Sequence, residues 1–548
     1  MKLIIIYLVD GWNIVNIKAH NYIKNIGAHI VMRKDIFLKG AVKKMNSFRI
    51  KNIKSFSDSG KIELRPITIF VGKNSCGKSS LLRFPIILSQ TATVNTDSPL
   101  MFYGKMIDYG NYEDVINGRK EGSIEFEIHY DINIADLQDA RFRMLDDSNQ
   151  EDEKVEMADA WMRVIIGKKD KKMLVETVEL YIKDKMLSGF YYEDNGYRVD
   201  LLYLYNNGNV INRKCSIRME SVEFETFFPF YDARERFSAI AGLVMNKSQE
   251  HLDEASGQEL YNDIYNNANP FGIDQLSEDE LNIKLISDGF DYASTIMSQI
   301  YNRYQIEAIT TTYIGPFRQN PERVYRDNET QSRDVGVKGE NVSTLLIRDY
   351  HKDNNLINAI SKWLYTTMGY KLTIKDMGSN LFQIMLVNNE GLESNILDVG
   401  FGISQILPIV TQIIKSSSEI QRTFLGRATN EENIYIEQPE LHLHPAAQAD
   451  LADLFVNCVN ECKNKRVIIE THSEHLIRKL QVLIADKNNP VTSDMVKIYY
   501  VDKDSKGIAK VSEMKILDSG KFEKKWPSGF FDKAHELSME LLKYSSVK

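Results

Sequence analysis

Ile67-Thr-Ile-Phe-Val71 runs straight into Gly72-Lys73-Asn74-Ser75-Cys76-Gly77-Lys78-Ser79-Ser80, and the rest of the chain is organised around this stretch. Residues 72–79 fit G-x-x-x-x-G-K-[ST] without a mismatch, between an apolar strand and a helix predicted to begin near Lys78. Glycines let successive backbone N–H groups wrap phosphate oxygens, and a helix N-terminus adds its dipole. Lys78 would neutralise β/γ-phosphates, and the Ser79 hydroxyl would ligate Mg²⁺. The other reading, a glycine turn with no ligand, is disfavoured by the strand–loop–helix context.

A second anchor lies 359 residues beyond Lys78, where Asn433-Ile-Tyr-Ile-Glu437-Gln438-Pro439-Glu440 forms an apolar strand ending in acids. Glu437 is placed to hold the Mg²⁺ shell, as in a Walker B strand. Val467-Ile-Ile-Glu-Thr471-His472-Ser473 repeats the pattern, with His472 at the carboxyl end of the strand, where ligands gather in open α/β sheets. So long an interval implies a second lobe and an insertion.

The whole chain fits this reading. It has 548 residues, 43% apolar and 26% charged, with a net charge of −8. That is a globular composition, and it excludes wholesale disorder and coiled-coil rods. Four cysteines without metal-site spacing argue for a reducing, cytoplasmic home. The apolar run from Leu3 to Val9 stops at Asp10, too short to span a bilayer, so no membrane contact is expected. Residues 1–61 carry twelve Lys/Arg against three acids. The first 44 of them are read as a basic extension, a start site placed too far upstream, or an arm for nucleic acid or a partner. Leu137 to Ala160 is acidic, with eight acids against three bases. Ser277-x-x-Glu280 reads as a capping box opening a helix towards Tyr304. No sustained heptads or fixed-period repeats occur.

Four features, in order, resemble the ABC-type ATPase heads of the SMC, RecF and OLD group. They are Ile53-Lys-Ser-Phe56 before the P-loop, Asp398-Val-Gly400-Phe-Gly402-Ile-Ser404-Gln405-Ile-Leu-Pro408, Glu437-Gln-Pro-Glu-Leu-His442-Leu-His444-Pro445 and Thr471-His472-Ser473. The second resembles the signature motif, the third Walker B running into the D-loop, and the fourth the switch histidine. Gly315-Pro-Phe-Arg318 and Trp526-Pro-Ser-Gly-Phe-Phe-Asp532 are similar to the ATPases of bacterial anti-phage systems of the Septu and retron-associated kinds.

The resemblance implies an α/β, two-lobed P-loop head with an α+β insertion and no long coiled coil. Its expected division is an extension (1–44), the first part of lobe I (45–130), an insertion (131–305), lobe II with the signature motif (306–430) and the second part of lobe I (431–548). It implies ATP and Mg²⁺ as cofactors, bound by residues 72–80 and, across a homodimer, by Gly400, Gly402, Ser404 and Gln405. The implied partners are a second copy and a separate effector such as an HNH nuclease. A retron reverse transcriptase with its DNA, or nucleic acid contacted directly, is a further candidate.

One departure matters. Where the family pattern usually places a water-activating glutamate, this chain has Gln438. An amide cannot accept the proton, and a general base typically supplies about 10²–10⁴-fold in rate. Slow hydrolysis is therefore expected, with Gln438 orienting water and Glu440 or His472 assisting charge or proton transfer. Two alternatives remain open: a RecF- or SMC-like repair ATPase acting on DNA, and a non-hydrolysing scaffold. Asp502 and Asp504 read as a hairpin turn rather than a nuclease centre. Gln90 and the Asn111–Asp114 region are both candidates for a metal-sensing glutamine loop. Arg318, Arg323 and Arg326 read as a solvated or inter-lobe face, or as contacts to nucleotide or DNA.

Overall fold

The computed structural model describes residues 42–119, 122–133, 157–202, 214–219, 222–230, 278–327, 329–418, 421–422, 428–429, 431–462 and 464–527, with scattered positions between 537 and 542. The basic extension up to residue 41, most of the acidic segment, the Ser277 cap and the Phe530-Phe531 part of the tail lie outside these residues.

The centre is a six-stranded sheet. In chain order, after an outer strand β1 (Val42–Ile53), its strands are β2 (Ile67–Gly72), β3 (Thr311–Ile314), β4 (Glu432–Glu437), β5 (Lys465–Glu470), β6 (Val496–Lys503) and β7 (Ala509–Glu513). Their spatial order is β3-β4-β5-β2-β6-β7. All pairs are parallel except β6 with β7. Strands β2 and β4 are buried at all six positions, as expected for a parallel sheet covered on both faces.

Among the described residues the longer helices are α1 (Lys78–Ala92), α2 (Glu278–Ile309), α3 (Val342–Tyr350), α4 (Asn355–Met368), α5 (Phe401–Ser418), α6 (Pro445–Glu461) and α7 (Glu474–Ala485), beside a single turn at Tyr112–Val115. One core joins β2, β4, β5 and β6 to α3 through α7, with Ile69, Ile406, Val410, Leu451, Phe455 and Leu480 at its heart. A small four-stranded antiparallel sheet, Tyr325–Arg326, Lys371–Asp376, Leu381–Val387 and Glu393–Asn395, adjoins α4 and adds Leu372, Ile384 and Leu386 to the same core.

A second large sheet is antiparallel. Strand β1 pairs with Ile124–Asn133, and the ladder continues through Met157–Lys169, Lys172–Ile182, Lys185–Glu193, Gly196–Leu202 and Lys214–Met219. These later strands fall in the interval expected to be an insertion, yet they extend the sheet that β1 begins. Helix α1 faces this sheet through Phe84, whose ring lies 5.5 Å from Phe48 and 5.4 Å from Phe126. The expected boundary at 305/306 falls inside α2, and β3 beyond it belongs to the central sheet. Among the described residues no helix is long and apolar enough to cross a membrane.

Candidate active site

The phosphate loop follows from two backbone constraints. Gly72 closes β2 with φ 142°, and a Cβ there would lie 1.9 Å from the Val501 carbonyl oxygen on β6. Gly77 precedes α1 with φ 109°, and a Cβ there would meet the Phe56 ring at 2.8 Å. Only glycine suits such backbone angles at such close approach. Asp502, at the end of β6, steadies the loop by accepting from Lys73 Nζ at 2.9 Å, and Cys76 Sγ lies 3.8 Å from its Oδ1. Asn74 supplies a carbonyl to the Cys76 thiol, Ser75 adopts φ 59°, and the Ser80 N–H closes the first turn on Gly77 O.

Lys78 folds back over the loop and donates from Nζ to Lys73 O at 2.7 Å. Its ammonium is 3.8 Å from Glu470 Oε1. Burial lowers its pKa, with the Glu470 charge opposing that shift. Glu470 is itself buried, and desolvation raises its pKa against the opposing pull of the Ser79 hydroxyl and Lys78. Its Oε2 has no hydrogen-bond partner.

Glu437 stands beside Glu470 in register across β4 and β5. Both of its oxygens are engaged: Arg83 Nε donates to Oε1 at 2.5 Å and Nη2 to Oε2 at 2.7 Å, and Tyr313 OH donates to Oε1 at 2.7 Å. Arg83 comes from α1, five residues after Lys78.

Gln438 continues the ladder by donating its N–H to Glu470 O at 2.8 Å, then turns with φ 46°. Arg318 fixes this turn from behind. Its Nη2 donates to Glu437 O at 2.7 Å and its Nη1 to Gln438 O at 3.2 Å. Burial pulls the Arg318 pKa down to about 10, with Glu440 and Glu437 opposing. Glu440 accepts from Thr471 Oγ1 at 2.7 Å and from the His472 N–H at 2.6 Å. Both Glu440 oxygens are thus taken up by the 471–472 segment. The His472 pKa falls to about 4, through burial and then the Lys78 charge. Its Nε2 has no hydrogen-bond partner.

The segment from Asp398 to Pro408 leads into α5, whose Ile406 and Val410 pack in the central core. Helix α5 starts at Phe401, and Ser404 Oγ donates back to Phe401 O at 2.8 Å. A serine hydroxyl near a helix start readily bonds a carbonyl of its own turn. Ser404 and Gln405 are buried, whereas Gly400 has open space around it and Phe401 is 59% exposed. Gly402 backs onto the turn after Walker B, where a Cβ would lie 2.8 Å from His442 O.

Other expected groups have structural partners. Gln90 holds the 101–107 loop through Met101 O, Ile107 O and the Met106 and Ile107 N–H groups. Asn111 and Asp114 form a reciprocal helix cap. Arg323 pairs with Asp398 at 2.6 Å, while Arg326 is exposed. Asp504 accepts from the Lys506 and Ile508 N–H groups within the β6–β7 hairpin. Sequence reasoning passed over Arg83, Tyr313 and Glu470. For Glu470 the signal was present: it ends the same kind of apolar strand as Glu437.

The residues present suit a nucleotide with a divalent cation. A glycine cradle faces a buried lysine and a serine, and beside them stand an unpartnered carboxylate oxygen and an unpartnered imidazole nitrogen. Among the described residues no group of three or more His, Cys, Asp or Glu side chains gathers as a metal cage. Mg²⁺ in phosphate sites typically needs only one or two carboxylates beside phosphate and water.

Fold and site together define a P-loop ATPase domain of mixed α/β architecture. The chain belongs to the AAA ATPase domain family, whose model matches residues 44–477. Residues 491–541 match a second family model, described as a protein of unknown function (DUF3696). No curated protein matches the chain. Among solved structures, the chain is similar to the Smc head domain with an extended coiled coil bound to the C-terminal domain of ScpA from Pyrococcus furiosus. The identity there is 12%, covering 91% of this chain and 99% of that one, with a TM-score of 0.35. The SMC head domain of Thermotoga maritima shows 8% identity, covering 86% and 100%, with a TM-score of 0.30. The Smc head domain with a coiled coil and joint from Pyrococcus yayanosii shows 11%, covering 87% and 98%, with a TM-score of 0.32.

Proposed function

We propose that this ATPase binds ATP·Mg²⁺ at residues 72–80, hydrolyses it slowly, and uses an ATP-held homodimer to control a separate effector in bacterial anti-phage defence. Lys78 holds phosphate charge, Ser79 ligates the cation, and an acid at the β4 and β5 strand ends, Glu437 or Glu470, completes its surroundings. The cation supplies charge neutralisation on the phosphates. Gly400, Gly402, Ser404 and Gln405 form the signature end that meets the partner copy's nucleotide. His472, neutral at physiological pH, offers Nε2 to the reacting phosphate, and Glu440 holds the switch loop that carries it. The effector envisaged is a nuclease of the HNH kind, in the cytoplasm.

The observation that carries slow turnover is Gln438. It occupies the turn directly after the Walker B acid, its backbone held by Glu470 and Arg318, and its side chain has no basic oxygen with which to take a proton from water. The deciding experiment measures ATP turnover and oligomer mass with and without ATP·Mg²⁺. Slow turnover with an ATP-dependent dimer supports the proposal. Brisk turnover stimulated by DNA alone replaces it with a repair ATPase acting directly on DNA. Undetectable turnover with tight ATP-dependent assembly indicates a scaffold.

A further inference from the structure

Two carboxylates end adjacent strands at the same level of the central sheet, and their surroundings differ. Glu437 on β4 and Glu470 on β5 are register partners, and Glu470 is in turn the register partner of Phe70 on β2, the strand that feeds the phosphate loop. Glu470 is thus one strand from the loop and Glu437 two. At about 4.8 Å per strand, that is a difference of one full interstrand spacing.

The hydrogen bonds divide the same way. Glu437 already has three donors, two from Arg83 and one from Tyr313. The Glu470 side chain is 5% exposed and stands 3.8 Å from Lys78 Nζ. Its Oε2 has no partner. Leaving a buried carboxylate oxygen without a donor is costly. A divalent cation beside Ser79 would remove that cost.

We propose that Glu470, rather than Glu437, is the carboxylate that completes the divalent-cation site at Ser79. Glu437 instead ties α1 to β4 through Arg83 and so positions the Walker B turn. This assignment deepens the ATP·Mg²⁺ reading above and rests on it.

The test is the affinity of the full chain for a non-hydrolysable ATP analogue, measured in Mg²⁺ and again in EDTA, for wild type, Glu470→Gln and Glu437→Gln. The ratio of the two affinities is the cation's contribution. Loss of a group that supports a metal typically costs about 10–100-fold in metal affinity. Glu470→Gln is expected to lose the Mg²⁺ contribution by that order while keeping the EDTA affinity, and Glu437→Gln to keep the Mg²⁺ contribution. Mn²⁺ bound in the presence of the analogue, read by electron paramagnetic resonance, should fall in parallel for Glu470→Gln. If Glu470→Gln does not fold, Glu470→Asp, which retracts the carboxylate by one methylene, should reduce the same ratio. An unchanged ratio in either folded Glu470 variant overturns the assignment, as does loss of the ratio in Glu437→Gln. A wild type that binds the analogue no better in Mg²⁺ than in EDTA overturns the ATP·Mg²⁺ reading itself, and the assignment with it.

Discussion

Arg83 and Glu437 form a two-pronged ion pair, Nε to Oε1 at 2.5 Å and Nη2 to Oε2 at 2.7 Å, between the phosphate-loop helix and the Walker B strand. The carboxylate side chain is 3% exposed and the guanidinium 26%. Both parts of the site that were legible from motifs are therefore joined by a residue that no motif contains.

Removing one partner of such a pair leaves a buried charge uncompensated, which typically costs about 3–5 kcal/mol. Arg83→Met should therefore destabilise the fold by that order in denaturant unfolding. The double variant Arg83→Met with Glu437→Gln should recover most of the loss, because no unpaired charge remains. A single variant within about 1 kcal/mol of wild type, the range of surface pairs, would show that the pair does not hold α1 to β4.

Gln438→Glu supplies the oxygen base that the turn lacks. The backbone there is already left-handed at φ 46° and is held by Arg318 and Glu470, so the near-isosteric change leaves the turn in place. ATP turnover per site should rise by about 10²-fold, the lower end of what a positioned base contributes, and the lifetime of the ATP-bound dimer should shorten. Steady-state turnover beside analytical ultracentrifugation reads both. No rise in turnover would assign water activation to another group.

Local spacing made the strand–loop–helix at residues 67–92 and the apolar strands ending at Glu437 and Glu470 legible, because each places its residues within one strand and one turn. The β6–β7 hairpin was legible for the same reason, from the Asp504-Ser-Lys-Gly507 turn. Long-range register was not legible. Glu437 and Glu470 close equally apolar strands, and only the order β4-β5-β2 puts Glu470 nearer the loop. Strand β1 begins at Val42, inside the stretch read as an extension. Its register shifts between Val42, Met45 and Ser47 break the period-two pattern, as β-bulges do. The strands between residues 157 and 219 alternate well enough to be read as strands, but alternation does not say which sheet they join.

Two glycines separate folding from assembly. Gly72→Ala would drive a methyl into Val501 O at a backbone angle of φ 142°, so β2 and β6 must part. Loss of soluble, cooperatively folding protein is expected. Gly400→Ala meets nothing within 4 Å, so the melting temperature should stay within about 2 °C, the shift of a sub-kcal/mol change. In the proposed dimer the added methyl would stand where the partner copy's nucleotide approaches, so the ATP-dependent dimer should nevertheless weaken. A Gly400→Ala protein that dimerises like wild type would remove the signature end from the interface.

Lys44 provides a pH test at the opposite end of the central sheet. Its ammonium donates to Asn464 O at 2.6 Å and to Glu432 O and Asn433 Oδ1 at 3.1 Å, pinning β1 to the start of β4. Burial is the main cause of a pKa lowered to about 7, with the Arg466 charge adding to it and Glu307 opposing. An unfolded lysine titrates near 10.4. Between those values the unfolded chain holds the extra proton, so Lys44 makes stability rise with pH across that window. The slope is at most about 1.4 kcal/mol per pH unit. Below pH 7 the full cost of burying the charge is present, and above about 10.4 it is gone. Lys44→Met should lack this slope, so its stability relative to wild type should fall as pH rises from 7 to 10 in denaturant unfolding. A constant difference across that range would mean that the buried Lys44 amine does not titrate there.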